Sequence, residues 1–248
     1  MLAFRLLVVY GLFISLSTIA VAENCRVAVA ANFSPTLKKL QPIFEEQTQH
    51  SLTVITGSTG QLFTQIQYGA PYDVFLAADT QRPQALLASG HGIANTAFNY
   101  AEGQLVYWAP QQHASEAIPN FSLIRKMAIA NPSIAPYGVA AVETLNSLNY
   151  VNEKQLVYGN NITQTLQYIA SGNSEGGFIA LSQFLHLDTH NHYHWKVPSN
   201  LHSPLTQQAI LLTHGKNNAA AAAFIAFLKT PIAINTLQRM GYKTPSTP

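Results

Sequence analysis

The stretch Val27-Ala28-Val29-Ala30-Ala31-Asn32-Phe33-Ser34-Pro35-Thr36-Leu37 decides the fold. An apolar run stops at a short polar turn, and helical spacing then takes over at Leu37, Leu40, Ile43 and Phe44. This pattern predicts a strand over 26–31 feeding a helix, with Ser34 as N-cap and Pro35 in the first turn, where its missing N–H costs nothing. A strand that runs into a helix N-terminus leaves backbone N–H groups unpaired at the positive end of the helix dipole. Such a turn suits an anion.

The same grammar recurs along the chain. A β-branched strand over 51–56 meets Gly57-Ser58-Thr59-Gly60, after which Leu62, Phe63 and Ile66 mark a helix face. A strand over 73–77 is followed by Asp79 as a cap and a helix over 83–89. A strand over 126–130 leads through a two-proline loop, 131–138, into a helix over 139–148. A strand over 155–158 leads through Gly159-Asn160-Asn161 into a helix over 162–170. Further strands are expected at 103–108, 177–181 and 209–213, and helices at 219–229 and from Pro231 to near Gly241. Strands alternating with helices at this spacing form βαβ units around mostly parallel sheets. The expected fold is therefore α/β, with two lobes and a cleft between them. The division reads 23–103 for lobe 1, 104–208 for lobe 2 and 209–248 for the return to lobe 1.

Residues 1–22 read as a secretory leader. Arg5 supplies the positive charge, 6–19 is almost wholly apolar, and Ala20-Val21-Ala22 is a small-residue cleavage site. An uncleaved anchor is the alternative, but the run is short for a span and a strand follows closely. The mature chain is expected in the periplasm, soluble and monomeric. Only 10% of its 248 residues are charged and the net charge is +2, with basic residues scattered. That excludes a nucleic-acid-binding stripe. The single cysteine, Cys25, has no internal disulfide partner and reads as incidental, ahead of the first strand.

The chain carries no Gly-x-Ser-x-Gly elbow, Walker sequence or dinucleotide fingerprint, and Asp73 and Asp79 read as strand-end and capping residues. No enzyme is expected, and no cofactor. His186, His190, His192 and His194 cluster, the last three on one strand face. Such a set suits zinc or nickel, but with no cysteine and only Asp188 nearby a solvated surface loop explains it as well.

Several pieces, in this order and spacing, resemble the periplasmic molybdate-binding proteins of ABC transporters, a family of two-lobed type II solute-binding proteins. They are Ala30-Ala31-Asn32-Phe33, Gly57-Ser58-Thr59-Gly60-Gln61-Leu62, Gly69-Ala70-Pro71-Tyr72-Asp73 with Val74-Phe75-Leu76-Ala77-Ala78-Asp79, Asn131-Pro132, Pro136-Tyr137-Gly138, and Phe227-Leu228-Lys229-Thr230-Pro231. The resemblance implies an oxyanion, molybdate or tungstate, held between the lobes by neutral donors and passed to an inner-membrane ABC permease. It places the donors on Asn32, Ser58, the backbone amide of Tyr137 and the backbone amide of Ile162. Asn32 would offer its side-chain amide as well as its N–H. A tyrosine that some members carry on a later strand falls on Ala180 here; others carry one in the proline loop, where Tyr137 stands.

Judged locally, Asn32 and Ser34 read first as ordinary capping residues, the role these residue types usually take. The anion reading gains from several such turns in one chain. No Lys or Arg lies within the turns, so the site suits an anion that is fully deprotonated. It disfavours one that brings a proton needing an acceptor, such as hydrogen phosphate. Sulfate is the alternative oxyanion, to be refused by size alone.

Overall fold

The computed structural model describes residues 22–113, 118–150, 152–187 and 192–244. The leader up to residue 21, and with it most of the 1–22 reading, lies outside the described residues, as do Asp188 and His190.

Two five-stranded sheets organise the chain. The first contains β1 (Asn24–Ala30), β2 (Ser51–Gly57), β3 (Val74–Ala77), β4 (Phe98–Gly103) and β10 (Leu205–Leu211), in the order β2-β1-β3-β10-β4. The second contains β5 (Leu105–His113), β6 (Met127–Ala130), β7 (Leu156–Gly159), β8 (Gly176–Ala180) and β9 (His192–Lys196), in the order β7-β6-β8-β5-β9. The two orders are the same arrangement. In each, three parallel strands lead to one antiparallel strand and then an edge strand paired antiparallel to it. The antiparallel strand is the one that follows or precedes a crossing between lobes. β4 passes to β5 through Gln104 alone, and the chain returns between β9 and β10. Gln104 is fixed on both sides, its Nε2 donating to Gly241 O at 2.6 Å and its carbonyl accepting from Leu181 N–H at 2.9 Å.

Helices cover both faces of each sheet, as apolar parallel strands require. In the first lobe α1 (Ser34–Thr48), α7 (Ala219–Phe227) and α8 (Pro231–Arg239) pack on one face around Phe44, Phe224 and Phe227. There α2 (Thr59–Gln67) and α3 (Gln81–Ala88) cover the other through Leu62, Ile66 and Leu86. In the second lobe α4 (Pro136–Ser147) lies on one face, and α5 (Ile162–Ala170) with the short α6 (Leu181–Phe184) on the other. The α4-side cluster also takes in Ala30, Ala31 and Ala78 from the first lobe, so the two lobes share one apolar seam. Small residues at those strand ends let the lobes approach.

Several boundaries move from their sequence expectation. β1 begins at Asn24, so Cys25 lies inside it, fully buried, and burial pushes its thiol up, with nearby Asp73 adding to this. Ser34 is not the N-cap of α1. Phe33 holds that position, and Ser34 is the first helical residue, its Oγ accepting from Thr56 Oγ1 at 3.2 Å. The cause is the Phe33 ring, buried against the edges of Tyr100 and Tyr242, which turns the chain one residue early. α4 starts at Pro136 and not after the loop; Ala135 is extended, as a residue before proline prefers, and Pro136 opens the helix. β4 was not expected at all, and β10 begins at Leu205, four residues before the expected 209. Its polar Gln207 and Gln208 hid it, since both are hydrogen-bonded within the fold and Gln207 is fully buried.

Candidate oxyanion site

Four strand-to-helix turns meet where the lobes face each other. They follow the C-terminal ends of β1 and β2 in one lobe and β6 and β7 in the other, where open α/β sheets bind ligands. Each buried backbone N–H in these turns must have a partner or be left for a ligand. After β1, Ala31 N–H donates to Gly57 O at 2.9 Å and Phe33 N–H to Ala30 O at 2.8 Å, which, among the described residues, leaves Asn32 N–H over. At the start of α2, Ser58 N–H goes to Gln61 Oε1, Gln61 N–H to Ser58 Oγ and Gly60 N–H to Ile134 O. The N–H of Thr59 is left. At the start of α4, Gly138 and Val139 both donate to Ala135 O, leaving Tyr137 N–H. At the start of α5, Asn161 Oδ1 accepts from Thr163 and Gln164, each at 3.0 Å, leaving Ile162 N–H. First-turn N–H groups have no partner within their own helix.

Asn32, Ser58, Thr59, Tyr137 and Ile162 line one cavity, together with alanines of β1 and of the turn after β3, and with Ala135, Pro136 and Asn161. Asn32, Ser58, Thr59, Tyr137 and Ile162 are each at most 3% exposed. The cavity measures about 10 Å³, the scale of a single water-sized group. No charged side chain lines it. The lining brings together residues of both lobes at the N-termini of α2, α4 and α5. Ser58 Oγ already accepts a hydrogen bond from Gln61 at 3.2 Å, so its proton is free to point inward.

The Asn32 amide does not share this role. Its Nδ2 donates to Gln207 Oε1 at 3.0 Å and to Tyr242 OH at 3.2 Å, which spends both of its protons. The side chain is the centre of a buried polar network. Tyr100 OH donates to the same Gln207 Oε1 at 2.9 Å, and Gln207 Nε2 donates to Tyr137 OH at 3.3 Å. Tyr242 OH and, from the second lobe, Ser182 Oγ both donate to Asn32 O, at 2.9 and 3.1 Å. Tyr137 thus offers its N–H to the cavity while its side chain crosses to the first lobe. Its hydroxyl rests over Gly103, where an added Cβ would lie 2.2 Å away; only glycine leaves that space. Burial raises the Tyr137 and Tyr100 hydroxyls well above the usual tyrosine value and pushes Tyr242 up to about 12, so all three stay protonated; Tyr100 and Tyr242 donate within the network and Tyr137 accepts from Gln207.

Ala180 is fully buried at the end of β8 and offers no side-chain donor. The histidines lie elsewhere. His192 and His194 are on β9, the edge strand farthest from β6 and β7; His192 stacks on Trp108 and His194 packs at a tilt against Phe184. His186 is tied to Ser182 O at 2.8 Å. Among the described residues no three His, Cys, Asp or Glu side chains group as a metal site. Asp79 sits one residue before Thr80, the N-cap of α3, and accepts from Arg82 N–H at 3.0 Å. Gln207, Tyr100, Tyr242 and Ser182 carried no signal in the sequence, because isolated polar residues far apart in the chain have no local pattern. Thr59 was within reach, as the neighbour of Ser58 in the same turn.

Residues 25–243 match the family model described as bacterial extracellular solute-binding protein. The chain is 40% identical to the molybdate-binding protein ModA of Azotobacter vinelandii over 233 residues, 92% of each chain. It is 38% identical to the molybdate-binding protein ModA of Rhodobacter capsulatus over 238 residues, 94% of each chain. The solved structure of the Azotobacter vinelandii periplasmic molybdate-binding protein superposes with a TM-score of 0.85 at 33% identity, covering 90% of this chain and all of that one. The sulfate-binding protein SubI of Mycobacterium tuberculosis H37Rv shares the fold alone, at 11% identity and a TM-score of 0.74. With its two matching sheets, neutral interlobe pocket and these relatives, the chain belongs to the bacterial extracellular solute-binding proteins, in the family of the molybdate-binding proteins.

Proposed function

We propose that this protein captures molybdate, or the closely similar tungstate, between its lobes and hands it to an ABC permease. The observation that carries the reading is the set of unpaired donors. The N–H groups of Asn32, Thr59, Tyr137 and Ile162 and the Ser58 hydroxyl surround one small pocket that no charged side chain lines. Hydrogen bonds to a charged acceptor are worth about 1.5–3 kcal/mol each. Several of them bind an anion firmly without a cation that would hinder its release. Because the donors come from both lobes, the anion stabilises the closed arrangement, and the permease reads that arrangement. The protein acts as a carrier and not as a catalyst, exported to the periplasm by its leader at 1–22, working as a monomer. We take 23–103 with 205–248 as one lobe and 104–204 as the other.

Titration calorimetry against molybdate, tungstate, sulfate and phosphate tests this, with zinc as a control for the histidine segment. Molybdate and tungstate give saturable heat, while phosphate and zinc give none. Saturation by sulfate with affinity equal to molybdate would make the protein a general oxyanion carrier. Absence of both heat and thermal stabilisation at millimolar molybdate removes the reading.

A further inference from the structure

Both crossings between the lobes border a second cavity, of about 310 Å³. Gln104, the whole of the β4–β5 crossing, lies in its wall, and the 197–204 return forms much of the rest. It shares no lining residue with the oxyanion pocket. Its size suits a small organic molecule. Leu105, Leu205 and two prolines of the return give it an apolar part. Its charged part comes from both lobes: Glu102 and Lys243 from the first, Lys196 at the end of β9 from the second. Lys243 Nζ pairs with Glu102 Oε1 at 3.1 Å. Lys196 has no ion-pair partner among the described residues, so of the Lys and Glu charges in the lining one positive charge is left over, beside apolar ground. That combination suits a carboxylate carried on a small apolar body.

Rotation of one lobe against the other must pass through Gln104 and the 197–204 return, so it reshapes this cavity. Gly103 stands between the two sites. It lines the hinge cavity, and the place of its missing side chain is taken by the Tyr137 hydroxyl and Gln207 Nε2, members of the network around Asn32.

We propose that the hinge cavity is a second ligand site, taking a small apolar carboxylate on Lys196, and that its occupation shifts the affinity of the protein for its oxyanion. The site stands apart from the oxyanion reading above; only the coupling rests on it. A ligand held at both crossings favours the lobe arrangement in which the cavity fits it, and whatever factor it imposes on oxyanion affinity the oxyanion imposes on its own.

Calorimetry with sodium benzoate and sodium indole-3-acetate, with benzyl alcohol as the uncharged control, tests this on the parent, on Lys196→Gln and on Ser199→Trp, whose ring fills the cavity from the return. The parent binds at least one of the two carboxylates at millimolar concentration, and the alcohol more weakly. Lys196→Gln weakens that binding roughly fivefold, most at low ionic strength, and Ser199→Trp abolishes it. With the carboxylate saturating, the molybdate affinity of the parent shifts by about fivefold or more, and that of Ser199→Trp does not respond. Lys196 is exposed, so Lys196→Gln decides the question by itself if Ser199→Trp does not fold. No carboxylate binding by the parent, or binding that either variant retains in full, overturns the site. Binding with no shift in molybdate affinity overturns the coupling and leaves the site. A parent that binds the carboxylate but not molybdate overturns the oxyanion reading and the coupling with it, and leaves the site.

Discussion

Ser58 holds two roles that separate experimentally. It is the N-cap of α2, its Oγ accepting from Gln61 N–H at 3.2 Å within a reciprocal capping box, and the same hydroxyl has a proton free for the pocket. Ser58→Ala removes both roles. Loss of the cap costs about 0.5–2 kcal/mol of stability, whereas glycine at an N-cap costs only a few tenths. Loss of a donor to a charged ligand costs about 1.5–3 kcal/mol of binding, roughly 10- to 150-fold in affinity. Capping acts equally on the empty and the loaded protein and so cancels in the dissociation constant; the donor acts on the loaded protein alone. Urea unfolding of the unliganded variants therefore orders them parent, Ser58→Gly, Ser58→Ala, while molybdate calorimetry finds both variants weakened alike. If both variants keep parental affinity while urea unfolding still orders their stabilities, Ser58 is a cap only and the donor argument is wrong.

Gly60 N–H donates to Ile134 O across the lobes at 2.8 Å, and a Cβ there would lie 2.9 Å from Ile134 Cα. Gly60→Ala forces the lobes apart against backbone and is expected to weaken molybdate binding by roughly 5- to 100-fold, as overpacking costs of about 1–3 kcal/mol imply, with little change in the melting temperature of the empty protein. Gln207→Leu strands one Asn32 amide proton and leaves Tyr100 OH only Ala77 O at 3.4 Å, so urea unfolding should register a loss of about 2–4 kcal/mol. Tyr242, pushed up to about 12 by burial, binds its proton more tightly folded than unfolded, so its contribution is complete below the usual tyrosine value near 10 and is lost as pH climbs through about 12; Tyr100 and Tyr137 are raised in the same direction. Circular dichroism and tyrosinate absorbance should therefore change together in that alkaline window and not between neutrality and its onset. His192→Ala leaves molybdate affinity unchanged by calorimetry, because β9 is separated from β6 by β5 and β8.

The α/β order was legible because it is written in local patterns. The apolar runs of β1, β2, β3, β6 and β7 and the polar turns after them are short-range features, and the turns at Asn32, Ser58, Tyr137 and Ile162 meet at one cavity. β4 and the start of β10 escaped notice because their polar residues, Asn99, Gln207 and Gln208, are satisfied by partners 70 or more residues away. Periodicity carries no trace of such pairs. Ser34 was misplaced for a related reason: the helix start was set by where the Phe33 ring is buried, a tertiary matter.

The position of Asn32 shows how the two kinds of information combine. As a residue type it suggested a side-chain donor to the ligand, but both amide protons are taken by Gln207 and Tyr242. What remains for the ligand is its backbone N–H, and any residue except proline could supply that. The side chain must therefore be needed for something else, and the network shows what. Asn32 is held from its own lobe by Gln207 and Tyr242 and from the opposite lobe by Ser182, while Gln207 also reaches Tyr137 across the cleft. The N–H groups of Asn32 and Tyr137, one from each lobe, are thereby fixed by a single set of buried, uncharged hydrogen bonds. The network spans the lobes in the arrangement the structure shows, so the same contacts that join the lobes also set the pocket's shape. A neutral network serves here better than ion pairs would. A buried cation would need its own counter-charge and desolvation, whereas the uncharged network fixes the pocket's shape without either.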